Sequence, residues 1–185
     1  MKKLLLPILL VAFALNGFAQ SESYEFKEFK RNTATPVKSQ DQTGTCWAFS
    51  TVSFLESEAL RLGKKDVDLS EMFIVREIYR MKCENYVRRQ GHAQFGEGGL
   101  AHDAIMAVAQ FGVIPESVYP GRKDPNAPLN HGKLVKKLQN LCDDYIKLGK
   151  EGKLPADWLA SIDEVLDEEF GKVPTKFTYS NVMFS

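Results

Sequence analysis

Apolar side chains recur at helical spacing five times along the chain. Trp47, Ala48, Val52, Leu55, Ala59 and Leu62 form the first stripe, with Thr45 placed to cap its start and Gly63 to close its end. Ser70 stands as the cap of a second helix carrying Phe73, Ile74, Ile78 and Met81. A third follows Gly98-Gly99, with Leu100, Ala104, Ile105, Val108 and Phe111, and stops at Gly112. After a connection broken by Pro115, Pro120, Gly121, Pro125 and Pro128, Leu134, Leu138, Leu141, Tyr145 and Leu148 form a fourth stripe before Gly149. Pro155 sits where a helix starts, and Trp158, Ile162, Val165, Leu166 and Phe170 make the fifth stripe before Gly171. Residues 21–45 read as an extended, turn-rich lead-in, and the tail FTYSNVMF alternates loosely, as a strand without a partner does. The chain is therefore mainly α, with no internal repeat.

The first residues stand apart from this pattern. MKK, then the apolar run LLLPILLVAFAL, then NGFAQ is the layout of a secretory signal peptide over residues 1–19, cut after Ala19. The run is shorter than the ~20 residues that span a bilayer, so no stable membrane anchor is expected, and the protein is placed outside the cell or in the periplasm. Residues 20–185 are expected to form one domain that hides roughly 70% of its unfolded surface. Lys+Arg and Asp+Glu both count 24 in the 185 residues, a balance that excludes the basic footprint of a nucleic-acid binder. Three cysteines are too few for a disulfide scaffold. Cys83 and Cys142 either bridge in an oxidising compartment or remain ordinary part-buried thiols. Cys83, His92 and His102 lack ligand spacing, so no metal and no cofactor is expected.

The chemistry concentrates in QDQTGTCWAFS, residues 40–50. Here a glycine-containing turn delivers Cys46 into the first turn of a helix, where unpaired N–H groups and the positive dipole end favour a thiolate. The dipole supplies at most ~2 kcal/mol. A fully acidic thiolate needs a cation such as imidazolium beside it as well.

Gln40, Gly44, Cys46-Trp47, Phe49-Ser50, Leu69-Ser70-Glu71, Gly98-Gly99 and AVAQFGVIPESVYPG at 107–121 follow one another in the order found in papain-like cysteine peptidases, which this chain resembles. The resemblance implies the helical half of the α+β papain-like fold, with the β-rich half missing. It implies that Cys46 is the nucleophile and that the Gln40 amide and the Cys46 N–H form the oxyanion hole. Gly98 and Gly99 would pair with substrate main chain, and Ala101 would line the adjoining specificity pocket. The secreted members carry a cysteine where this chain has Thr43 and another near Gly96, so that disulfide is not expected. The segment from LNHGKLVKKLQNL through DEEFGKVPTKFTY resembles the helical insertion of the bleomycin hydrolase and aminopeptidase C branch, here over residues 122–172.

Family members draw a histidine base and an orienting asparagine from the β-rich half, ~130–150 residues beyond the cysteine. His131 falls well short of that distance and reads as a helix-start residue, while His92 lies in the first half and His102 on a surface or half-buried helix face. Two functions are compatible with this pattern. One is a cysteine-type peptidase of aminopeptidase C character that cuts peptides through a thioester, incomplete in this chain. The other is an inactive peptide-binding or truncated half-domain whose exposed apolar surface awaits a second copy or the β-rich half. Lys133, Lys136 and Lys137, and the acidic run 163–169, read as solvated helix faces.

Overall fold

Each stripe becomes a helix of the computed structural model, which describes residues 24–65, 67–180 and 182–184. The signal-peptide reading of residues 1–19 therefore lies outside the described residues. The chain divides into two units, Met1–Arg31 and Asn32–Ser185. In the first, residues 24–31 form no helix or strand, and Arg31 pairs with Glu28 at 3.5 Å. The second holds the five helices found among the described residues.

These are α1 (Cys46–Arg61), α2 (Glu71–Arg88), α3 (Ala101–Phe111), α4 (Gly132–Lys150) and α5 (Trp158–Phe170). Helix α2 is central and packs against the other four. That position explains why its buried side chains run almost all round it, from Phe73, Ile74 and Val75 to Ile78, Tyr79, Cys83 and Val87. Leu134, Leu138 and Cys142 of α4, with Ile162, Leu166 and Phe170 of α5, close one side of the same core. Trp47, Ala48 and Val52 of α1, with Ala104 and Ala107 of α3, close the other. Among the described residues, no helix is long and apolar enough to cross a membrane.

The capping signals hold unevenly. Ser70 caps α2, its hydroxyl accepting from the Phe73 N–H at 3.1 Å. Gly63, Gly112 and Gly171 close α1, α3 and α5 at positive φ. Thr45 occupies the N-cap of α1, but its side chain does not cap; it is buried against the Thr43 hydroxyl, 2.5 Å away. Helix α4 runs through Gly149, because Gly152 at φ 70 supplies the left-handed closing residue three positions later. Pro155 starts a turn rather than α5, whose N-cap is Asp157. The tail folds on itself as a hairpin of β1 (Phe177–Tyr179) and β2 (Val182–Phe184), antiparallel with Phe177 opposite Phe184.

The acidic run on α5 departs from the solvated face expected of it. Asp167 accepts from Arg76 at 2.7 Å and Asp163 from Arg80 at 2.8 Å, both half-buried ties to α2. His131 sits at the N-cap of α4, yet its imidazole is 0% exposed. It lies edge-on to Tyr79 and Phe170, with Nδ1 3.1 Å from the Tyr79 hydroxyl.

After α3 the chain returns beside the start of α2. The Ser70 N–H donates to Ile114 O and the Glu116 N–H to Asp68 O, each at 2.9 Å. Gly121 then crosses the first turn of α2 so closely, at φ 60, that a Cβ there would stand 2.1 Å from Met72 Cβ.

Candidate active site

The turn before α1 is built from its own polar side chains. Thr43 donates to Gln40 O at 2.8 Å, and the Gln40 amide donates back to Thr43 O. One N–H of that amide is used in this way; the amide has a second. The turn is anchored from outside at Leu129: the Gln42 N–H donates to Leu129 O, and Asp41 accepts from the Leu129 N–H, both at 3.0 Å. That bond, more than the Ser39 hydroxyl or Arg122, holds the Asp41 carboxyl below its ordinary range.

Cys46 opens α1 with an exposed, unbridged thiol. Its backbone N–H has no acceptor among the described residues, as the first donor of a helix has no intrahelical partner. The thiol, that N–H and the Gln40 amide thus belong to one turn and one helix start.

The glycine segment is brought against this turn. The Gly44 N–H donates to the Glu97 carboxylate at 2.6 Å, and the Trp47 indole N–H donates to Glu97 O at 3.0 Å. Gly99 lies on the Trp47 ring, where a Cβ would come within 2.7 Å of it. From the other side, the half-buried Lys82 of α2 reaches Gly96 O at 2.8 Å and also the carbonyl of Gly98, with its ammonium 6.0 Å from the centre of the Trp47 ring. Gly98 is exposed, and a Cβ there would meet nothing within 4 Å. Ala101, also exposed, begins α3 two residues beyond Gly99.

Gly98 and Gly99 consequently differ in substitution. Gly99→Ala is expected to cost ~1–3 kcal/mol, because the Trp47 ring must give way. Gly98→Ala should melt within about a degree of the unaltered chain. Thermal melts with Trp fluorescence check both; equal melting of the two variants would contradict the packing.

Glu97, Lys82 and Lys38 escaped sequence reasoning. The acidic residue directly before the glycine pair was the one available signal. Lys38, two residues before Gln40, pairs with Asp68 at 2.7 Å and Glu71 at 2.8 Å and lies 3.4 Å from the buried Glu56. Its three carboxylate neighbours push its pKa up despite the opposing burial, which is the largest influence. Beside them, burial first and Glu71 second push the Glu116 carboxyl up to about 7.

No hydrogen bond or ion pair among the described residues links Cys46 to a histidine. His102 is exposed and pairs with Asp103 at 3.2 Å, while His131 belongs to the core. No three potential metal ligands cluster among the described residues.

The order Gln40, Cys46-Trp47, Gly98-Gly99 on this helical scaffold defines a family. The family model for papain family cysteine proteases matches residues 20–163, and the chain belongs to that family. The viral cathepsin of Autographa californica nuclear polyhedrosis virus is 30% identical over 130 residues, 69% of this chain and 36% of the viral protein. Cysteine proteinase 1 of Dictyostelium discoideum is 36% identical over 91 residues, 49% of this chain and 26% of that protein. The chain spans about a third of the length of the curated relatives it matches. The crystal structure of PepW from Lactobacillus rhamnosis HN001 shares the fold at a TM-score of 0.59 and 21% identity, covering 89% of this chain and 42% of that one.

Proposed function

We propose that the chain carries the nucleophile side of a papain-type cysteine peptidase site. The Cys46 thiolate attacks a peptide carbonyl carbon and the carbonyl electrons move onto oxygen. The second Gln40 amide N–H and the Cys46 N–H receive that oxyanion. Its collapse expels the amine and leaves a thioester on Cys46, which water then hydrolyses. The observation that carries this reading is the Cys46 N–H, left without an acceptor beside an exposed thiol and the Gln40 amide. Peptide main chain lies along Gly98, where a side chain would block its approach, and Ala101 borders the adjoining pocket. The proton acceptor is a histidine of the β-rich half, because His131 is enclosed in the core and neither His92 nor His102 is bonded to Cys46.

Within the family, the reading extends to the bleomycin hydrolase and aminopeptidase C branch. Supporting it are α4 and α5, which occupy residues 132–170 where that resemblance places an insertion, and the absence of sulfur at Thr43 and Gly96. The secreted or periplasmic location rests on the leader reading of residues 1–19.

The test is labelling of Cys46 by a peptidyl chloromethyl ketone, compared with a chloromethyl ketone lacking the peptide and followed by intact mass. The peptidyl reagent is expected to label Cys46 at least ~10-fold faster, the gain that positioning by a few main-chain contacts supplies. Gly98→Ala should remove most of that gain without changing the melting temperature. A free amino end should label faster than an acylated one if the branch assignment holds. Equal rates for peptidyl and plain reagents would overturn the peptidase reading.

A further inference from the structure

We propose that Cys83 and Cys142 form a disulfide site, a redox staple between α2 and α4 that closes when the chain matures in an oxidising medium. The two residues face each other across the packed helices. Both are 0% exposed, and the Cys142 thiol reaches the Cys83 carbonyl oxygen at 4.0 Å. Both sulfurs are free thiols here. The neighbouring Cys142 thiol, and burial after it, push the Cys83 thiol far above its ordinary range. Both sulfurs are shut away from solvent in the folded chain, and Cys83 is further held as the thiol, so an oxidant cannot reach the folded pair and the bond forms while α2 and α4 are still separating and closing. Once formed, it is shielded from reductants by the same burial.

The oxidant is a low-molecular-weight disulfide such as oxidised glutathione. The thiolate of one cysteine attacks a glutathione sulfur, breaking its S–S bond and releasing one glutathione thiolate. The second cysteine's thiolate then attacks the protein sulfur of that mixed disulfide and expels the other glutathione. Two protein thiols are oxidised and one glutathione disulfide is reduced to two thiols, which take up the two protons. Cys46 is exposed at the start of another helix and remains a thiol, since pairing the other two cysteines of the chain leaves it no partner within the chain. The inference stands independently of the peptidase reading. It concerns a loop closed across a sequence separation of 59, which includes the whole of α3 and the glycine segment.

The experiment takes the full chain, loosened in intermediate urea with reduced and oxidised glutathione and returned to buffer. It is then alkylated in denaturant and read by intact mass and peptide mapping. One alkyl group instead of three is expected, with a cross-linked peptide joining Cys83 to Cys142. The melting temperature should rise by ~10 °C, the loop-closure entropy removed from the unfolded chain, and fall back on reduction. In Cys46→Ala, which leaves α2 and α4 untouched, the oxidised chain should take no alkyl group. Three alkyl groups after oxidation, a cross-link that includes Cys46, or a Cys83–Cys142 bond that lowers the melting temperature would each overturn the proposal.

Discussion

Replacing Lys38 by methionine is expected to destabilise the fold by ~3 kcal/mol, a fall of ~6–12 °C in melting temperature. The ammonium is the cation for three carboxylates: Asp68 at 2.7 Å, Glu71 at 2.8 Å and Glu56 at 3.4 Å. Glu56 is 1% exposed and also accepts from the Leu69 N–H at 2.8 Å and the Thr35 hydroxyl at 2.5 Å. Methionine fills the space but strands two buried carboxylates, and breaking a buried pair from one side costs ~3–5 kcal/mol. The Lys38 side chain keeps 27% of its surface in water, which places the cost at the lower end. The carboxyl of Glu71 is already raised by burial with Lys38 present, so its removal should drive Glu71 to protonate. Lys38 also stands two residues before Gln40, so labelling of Cys46 should slow along with the loss of stability. Lys38→Met/Glu56→Gln should recover part of the loss, as a coupled pair does. A shift under ~2 °C for the single variant would show that the network contributes nothing net.

The second large effect is a pair of opposed pH dependences. Burial lowers the His131 pKa from 6.5 to about 4, with Glu97 opposing. Between those pH values the unfolded chain holds a proton the folded chain does not, so stability is lost as pH falls from 6.5 towards 4. The 2.5-unit gap corresponds to ~3 kcal/mol at most. Glu116 runs the other way. Its folded pKa is raised from 4.5 to about 7, so its contribution is present below pH 4.5 and is lost as pH rises towards 7. Across roughly pH 4.5–6.5 the two slopes oppose each other, so each masks part of the other in the unaltered chain. Glu116→Gln should expose the histidine slope, with stability climbing as pH rises through 5 and 6. His131→Phe, which keeps a ring between Tyr79 and Phe170, should expose the opposite slope. Melting temperatures at half-unit pH intervals decide it. Variant curves parallel to the unaltered chain would show that neither group titrates as its surroundings dictate.

Legibility of the fold from sequence tracked the range of the interaction. The five helices were readable because burial against one centre imposes a local period on Trp47 to Leu62, Leu134 to Leu148 and the rest. The likeness to papain-like peptidases, with Cys46 after Gly44 and a glycine pair before a helix, was readable because each is a short run. What holds these pieces together was not. Glu97 meets Gly44 across 53 residues, Arg76 meets Asp167 across 91, and Leu129 meets Asp41 across 88. Such pairs leave no period, and the acidic stripe of α5 looked like solvent-facing charge until α2 supplied its arginines. The hairpin was missed for a similar reason: FTYSNVMF contains both partners, and Ser180 at φ 48 makes the reversal without a glycine.

The position of α4 and α5 has a consequence for anyone reshaping this protein. Residues 122–172 look in sequence like an accessory added to the end of an active-site scaffold. Physically they are half the wall. Leu138, Cys142, Ile162 and Leu166 are each 0% exposed, and the carbonyl of Gly171 accepts from the Tyr119 hydroxyl at 2.9 Å. Excising the segment would lay open the α2 flank carrying Tyr79 and Cys83 and strand Arg76 without Asp167. A graft that carries the Cys46 turn into another scaffold must therefore bring these two helices, or a surrogate surface for them, along with it.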